Sequence, residues 1–134
     1  CRGLISPQFL RNALITNDYL IQATQQSHVR GFLVARRLYG ADAILYIDLI
    51  CTTNHTGKLL LEHAEKLARR AGITTLALRA SSPELVSWYA RHGFIETANA
   101  CKRRSTALMR TLNSNKTMQG YWMTKCLQTA PKIQ

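Results

Sequence analysis

The sequence predicts an α/β (α+β) domain, a mixed β-sheet flanked by helices, and three observations carry that prediction. Between residues 44 and 95 the chain reads strand, tight turn, helix, strand, helix, strand, an order that brings parallel pairing into a sheet. Ahead of this unit, two β-rich runs with short connections lead into the strand at Ile44, and consecutive strands joined this way pair antiparallel. Length and composition allow a core: 134 residues, 46% of them apolar, suffice for a single domain with a real interior.

The elements come in order along the chain. PQFLRNAL (7–14) is a short helix. DYLIQAT (18–24) and HVRGFLVARR (28–37) read as strands joined by the polar turn Gln25-Gln26-Ser27, and Tyr39-Gly40-Ala41-Asp42 is a second turn. ILYIDLICT (44–52), rich in β-branched and large apolar residues, is the next strand. The chain then passes through Thr53-Asn54-His55-Thr56-Gly57-Lys58 straight into the helix LLLEHAEKLARRAG (59–72). There Leu59, Leu60, Ala64, Leu67, Ala68 and Ala71 recur at helical spacing as an apolar stripe facing a sheet. Glu62 with Lys66 and Glu65 with Arg69 are favourable i,i+4 pairs on the wet side, and Gly72 is the stop. ITTLALRA (73–80) is a short strand. In SPELVSWYARHGF (82–94) Ser81 or Ser82 caps a helix, Pro83 suits its first turn, Glu84 completes a Ser-x-x-Glu box, and Leu85, Trp88 and Tyr89 share a face. GYWMTKCL (120–127) is a last strand. The domain spans 1–134, with a core over 15–127, a basic connection of no clean strand period at 101–119 and a loose tail at 128–134.

Charge narrows the partners. Eighteen Lys plus Arg against 7 Asp plus Glu, net +11, argue for an anionic partner such as a nucleotide, nucleic acid or anionic surface, and against a small polycation as substrate. The competing reading is a solvated basic surface. No run of eighteen apolar residues occurs, so neither a membrane-spanning helix nor a membrane partner is expected. The 4 cysteines are widely spaced with no C-x-x-C pair, which predicts free thiols in a reducing, intracellular compartment: the cytoplasm, or an organelle after removal of a targeting segment. The chain starts at Cys1 with neither an initiator Met nor a signal-like stretch, and so reads as processed, trimmed or incomplete. Cys51, His55 and His63 lack a fourth ligand and a recognised spacing, so no metal site is expected.

The loop of small and polar residues that opens the first long helix leaves several backbone N–H groups aimed at one spot, which suits a phosphate. With this loop, the strand before it and the motif Trp88-Tyr89-Ala90-Arg91-His92-Gly93-Phe94, the chain resembles the GCN5-related N-acetyltransferase (GNAT) superfamily, acetyl-CoA enzymes with a mixed, splayed sheet. The resemblance covers residues 18–127, is strongest over 46–94, and implies a GNAT-like sheet with a reduced N-terminal region. In that family the strand before the main helix opens at a bulge whose backbone groups hold the pantetheine arm, and the loop and helix start bind the pyrophosphate. The resemblance therefore gives Leu49, Ile50, Cys51 and Thr52 to the arm and Asn54, His55, Thr56, Gly57 and Lys58 to the pyrophosphate, with acetyl-CoA as cofactor. The family's loop pattern is Gln/Arg-x-x-Gly-x-Gly/Ala. Here Gly57 is its final Gly, His55 stands at the first Gly and Thr52 at the Gln/Arg position. The family's aromatic-Tyr-x-x-x-Gly-Phe ending makes Tyr89 the residue beside the CoA sulfur, where a desolvated, positioned phenol can protonate the leaving thiolate. Ser82 replaces the family's Asn near the start of that helix. The competing reading of Tyr89 is a core aromatic with its hydroxyl at the rim.

Acetyl transfer needs a neutral amine, and Asp48, on a defined sheet face between Ile47 and Leu49, is the best general base by residue type. A hydrogen-bonded or solvent-facing carboxylate is the alternative. His28 and His92 are weaker candidates, and His92 suits the end of a helix better. Lys102, Arg103 and Arg104, with Arg110 and Lys116, lie where the family borders its acceptor groove. They admit an acidic or phosphate-bearing acceptor, dock on nucleic acid, or form a solvated loop. The function implied is an acetyl-CoA-dependent N-acetyltransferase working by direct attack of an amine on the thioester. The alternative is a catalytically silent GNAT-like module serving as a basic component of a larger assembly such as a ribonucleoprotein.

Overall fold

The hydrophobic alternation of the strand runs and the stripe on the long helix assemble around one sheet. The computed structural model describes residues 7–39, 43–53, 55–96, 101 and 120–127. Among them α1 (Pro7–Thr16), β1 (Tyr19–Gln25), β2 (His28–Leu38), β3 (Ile44–Thr52), α2 (Gly57–Arg70), β4 (Thr75–Ala80), α3 (Pro83–Ala90) and β5 (Tyr121–Cys126) follow in order. The strands lie side by side in sequence order. The β1–β2, β2–β3 and β4–β5 pairs are antiparallel and β3–β4 is parallel, so the sheet is mixed and the class is α+β. Gln26 and Ser27, with φ of 52° and 67°, form the tight β1–β2 turn, whose left-handed residues match the twist of the strands. No described helix is long and apolar enough to cross a membrane.

Strand β3 is irregular in two ways where it parts from β4. Its ladder with β4 covers only Ile44 to Ile47 against Thr75 to Leu78. At the same point β3 carries an extra residue: Val34 pairs with Leu49 and Ala35 with Ile47, leaving Asp48 unpaired in a β-bulge.

Helix α2 buries Leu60, Leu61, Ala64 and Ala68 against Leu33, Ala35, Leu45, Ile47, Leu76 and Leu78 of the sheet. Leu59, expected on the stripe, is 47% exposed, whereas Leu61 is 5% exposed. Two helical steps turn about 200°, so Leu59 points away from the line through Gly57 and Leu61. Of the two expected ion pairs, Glu65–Arg69 forms at 2.8 Å, and Lys125 of β5 joins it at 3.0 Å. Glu62–Lys66 is not among the ion pairs of the described residues. Burial alone would raise the Glu65 pKa, but hydrogen bonds and charge from Arg69 and Lys125 outweigh it and hold the carboxyl below its usual range. Helix α2 stops at Gly72, whose φ of 73° lets Ile73 N–H reach back to Ala68 O at 2.8 Å.

Helix α3 starts at Ser82, whose Oγ accepts from Leu85 N–H at 3.2 Å. This fixes the cap one residue later than the Ser-x-x-Glu reading requires, so Glu84 falls a position short of the box. Ser82→Ala is expected to destabilise the domain by about 1 kcal/mol, measured as a shift in the denaturation midpoint. No change would mean the α3 start is held by packing alone.

The expectation of free thiols does not hold. Cys101 and Cys126 form a disulfide with a Cα–Cα distance of 4.9 Å, and Cys51 is disulfide-bonded as well. Distance along the chain hid this: β5 runs antiparallel to β4, so Cys126 lies beside Thr75, where Cys101 Sγ also sits, 3.7 Å from Thr75 Oγ1. The thiol argument for a reducing compartment loses its ground with this pairing. The turn at 40–42, Asn54, the connection at 102–119 with Lys102, Arg103, Arg104, Arg110 and Lys116, and the tail at 128–134 lie outside the described residues.

Candidate functional site

Beyond the bulge, β3, the loop into α2 and one side of α3 enclose a cleft of about 510 Å³. Ile50, Thr52, His55, Gly57, Lys58, Leu85, Trp88, Tyr89 and His92 line it.

The loop is tied down from behind. Thr53 N–H and Oγ1 and Thr56 Oγ1 all donate to Arg30 O, and Thr56 Oγ1 also reaches Thr53 O at 2.9 Å. Thr56 is the N-cap of α2, but with its hydroxyl so engaged it makes no side-chain bond to the first-turn amides. Those amides, at the positive end of the helix and next to Lys58, give the cleft an anion-attracting end. His55 adopts φ 64°. This is the left-handed region that glycine favours and that histidine tolerates better than most residues, so the loop keeps that conformation without the glycine.

Gly57 answers to a different constraint from the one its place in the motif suggests. A Cβ there would lie 2.9 Å from two ring atoms of Trp88 and 3.3 Å from Thr52 Cγ2. The indole of α3 rests directly on the first turn of α2, and only glycine leaves room for it.

The opposite wall is a fixed aromatic stack. Trp88 meets Tyr89 edge-on at 5.0 Å and His92 at 4.2 Å, and Tyr89 meets Phe94 at 5.7 Å. His92 Nδ1 lies 2.7 Å from Trp88 O, and Lys125 Nζ donates to His92 O at 2.9 Å, so the end of α3 is held to β5 and through Glu65 to α2. Tyr89 is 5% exposed and burial pushes its pKa up to about 12. Burial thus favours the neutral phenol, the form that can give a proton but not take one, while making it a weaker acid than in water.

The structure gathers Ile50, Thr52, His55, Gly57, Lys58 and Tyr89 of the predicted set. Leu49 and Cys51 do not line the cleft; Cys51 is buried and disulfide-bonded. Thr56 supports the loop from behind, and Ser82 is occupied as the α3 cap. Asp48 is also not a lining residue: it sits in the bulge, where its Oδ2 accepts from Asn17 Nδ2 at 3.0 Å. Sequence reasoning missed Leu85, Trp88 and His92 as lining residues, although the shared face of Leu85, Trp88 and Tyr89 was readable. His92, four residues after Trp88, continues that face. Among the described residues no group of three metal-ligating side chains gathers.

A bulged, prematurely parting strand, a helix start and a buried tyrosine thus meet around one cleft of an α+β domain. The family model for the acetyltransferase (GNAT) domain matches residues 3–110, and the chain belongs to that family. Among solved structures it is similar to N-acetylglutamate synthase from Neisseria gonorrhoeae, complexed with coenzyme A and N-acetyl-glutamate. That match has 18% identity and a TM-score of 0.67, and it covers 96% of this chain but only 30% of the synthase chain. It is also similar to PaiA N-acetyltransferase from Thermoplasma acidophilum in complex with coenzyme A (19% identity, TM-score 0.61, 90% of this chain and 71% of that one). An aminoglycoside 6′-acetyltransferase type Ii matches at 16% identity and TM-score 0.63, over 92% of this chain and 78% of that one. At these identities the likeness is one of fold. Comparison with curated protein sequences gave no match.

Proposed function

We propose that the protein is an acetyl-CoA-dependent N-acetyltransferase in which an amine attacks the thioester directly. The observation that carries this reading is Tyr89, buried and neutral, in the same cleft as the uncapped start of α2. Acetyl-CoA, when bound, supplies the activated carbonyl. The cleft's residues suit it: the first-turn amides and Lys58 would hold its phosphates, and β3 at Ile50 and Thr52 would border its arm. Tyr89 would hold a proton for the departing sulfur. Asp48, on the same strand at the bulge, would take a proton from the incoming amine. The coenzyme A complexes among the similar structures support the choice of cofactor.

A second reading rests on Gly57. Because the indole of Trp88 takes the space beside the loop's glycine, the glycine alone does not argue for a phosphate, and a silent module with a basic surface is the rival. Ligand-induced stabilisation separates the two. Acetyl-CoA at 100 times its Kd stabilises a folded protein by about 2.7 kcal/mol, roughly 10 °C in Tm for a domain of this size. The enzyme reading expects such a rise, and the absence of any shift at millimolar acetyl-CoA would favour the silent module. Asp48→Asn is expected to lower kcat with acetyl-CoA affinity retained, and unchanged turnover would take Asp48 out of the proton transfer.

A further inference from the structure

The sheet face opposite α2 carries a row of side chains that the cleft does not use. Arg36 pairs with Tyr46 across β2–β3, Tyr46 with Ala77 across β3–β4, and Arg79 with Trp122 across β4–β5. Arg36 Cζ stands 5.4 Å over the Tyr46 ring, and the Tyr46 and Trp122 rings are 5.9 Å apart. The Arg79 stem lies across Gly120, where an added Cβ would come within 2.7 Å of Arg79 Cγ. The β3–β4 ladder ends at Ile47 and Leu78, so Asp48 and Arg79 are the first residues past it on the two sides of the split, and Ile50, two residues on from Asp48, already lines the cleft.

Three charges thus gather around one phenol. The Tyr46 pKa is raised by burial first and by Asp48 second, while Arg79 and Arg36 pull it back. The charges do not balance locally. Among the described residues neither Arg36 nor Arg79 has a carboxylate within ion-pair distance, the ion pairs being those of Glu65. Arg36 Nε is buried with no hydrogen-bond partner among them. Nε itself is closed off, but the rest of this half-buried guanidinium has no anion beside it among the described residues, and its planar fork suits a carboxylate.

We propose that this row is the acceptor site and that the acceptor is a free α-amino acid bound as a zwitterion, its carboxylate on Arg36 and Arg79 and its ammonium at Asp48. The proposal rests on the acetyltransferase reading above and names its substrate class. An α-amino acid carries opposite charges on one carbon, and the row offers opposite charges around one ring. A polyamine would meet two guanidinium groups and be repelled; a plain alkylamine would leave them unanswered. Trp122, half-buried against the buried ring of Tyr46, gives the side chain an apolar contact. In the reaction the ammonium passes one proton to Asp48, the C–N bond forms as the C–S bond breaks, and the sulfur takes the Tyr89 proton. The second proton shed by nitrogen restores Tyr89, and Asp48 releases the first to solvent.

The test is an acceptor panel of L-amino acids with acetyl-CoA. The best acceptor is then compared with its α-carboxamide, its decarboxylated amine and a peptide beginning with the same residue. Each of the three is expected to lose about 10²-fold in kcat/KM, because the arginines are left unpaired. Arg36→Gln and Arg79→Gln should raise the acceptor KM by about ten-fold or more, with acetyl-CoA KM and its thermal shift retained. Carboxamide, amine or peptide turning over as well as the free acid would overturn the proposal, as would equal loss of acetyl-CoA affinity in the arginine variants. Calorimetric binding of the amino acid separates the two readings. Binding that needs both arginines, without turnover of any amine, upholds the zwitterion site and sinks the acetyltransferase. Turnover of neutral amines without amino-acid binding does the reverse.

Discussion

Tyr89→Phe is expected to lower kcat by about 10²-fold while acetyl-CoA affinity stays within about two-fold. The substitution deletes one hydroxyl and leaves the edge-on contacts with Trp88 and Phe94 in place, so cleft shape and cofactor binding are kept and only the proton donor is lost. Steady-state kinetics with both substrates varied would show this. Equal turnover in the two proteins would make Tyr89 a packing residue. A control comes from alkaline unfolding. Burial raises the Tyr89 pKa from the ordinary 10.0 to about 12 in the folded protein. Between these values the native state keeps a proton that the unfolded chain releases, so this contribution to stability is complete below pH 10 and fades as pH rises toward 12. The Phe variant lacks the group and should lose less stability across that window.

The second large effect is expected at the contact between Gly57 and Trp88. Gly57→Ala places a methyl group 2.9 Å from the indole, and overpacking of this kind destabilises by about 1–3 kcal/mol. The helix start and α3 must move apart, so the acetyl-CoA-induced thermal shift should fall with it. Trp88→Ala alone removes most of one cleft wall and is expected to destabilise by about 2 kcal/mol, less than for a fully buried tryptophan because Trp88 is only half-buried. The double variant is the decisive measurement. With the indole gone the added methyl has room, so the combined loss should be smaller than the sum by about 1 kcal/mol or more. Strict additivity would mean that Gly57 answers to something other than Trp88.

Much of this organisation is legible in the chain, for identifiable reasons. The strand ILYIDLICT and its observed span Ile44–Thr52 coincide because β-branched and apolar residues fill nearly every position the pleat offers. The landmark Trp88-Tyr89 with Gly93 and Phe94 was legible through the family resemblance, and the shared face of Leu85, Trp88 and Tyr89 through helical spacing. Proximities created by the sheet were not legible. Nothing local to Cys101 announces Cys126, and nothing local to Arg36 announces Tyr46, Arg79 and Trp122. The stripe failed at Leu59 because Ala64 and Ala68 lie on the Leu61 side of Leu60 around the helix, so the buried face takes in Leu61 and leaves Leu59 out. Asp48 was singled out by residue type; its place in a bulge rather than on a regular pleat is a property of the β2–β3 register, which no single strand encodes.

That bulge sets one residue of the strand apart from its pairing with the rest of the sheet. On β2, Leu33 and Ala35 are two residues apart; on β3 their partners, Ile50 and Ile47, are three apart. The surplus residue is Asp48, looped out where the ladder with β4 ends. Excising it would return β3 to plain alternation with Ile47 and Ile50 still opposite their partners and Ile50 and Thr52 still turned to the cleft. The chain thus holds its carboxylate in a detachable position. A one-residue deletion at 48 would yield a folded scaffold with the wall of the cleft intact and the acid missing, and a one-residue insertion is all that a plain strand of this sheet would need to acquire it.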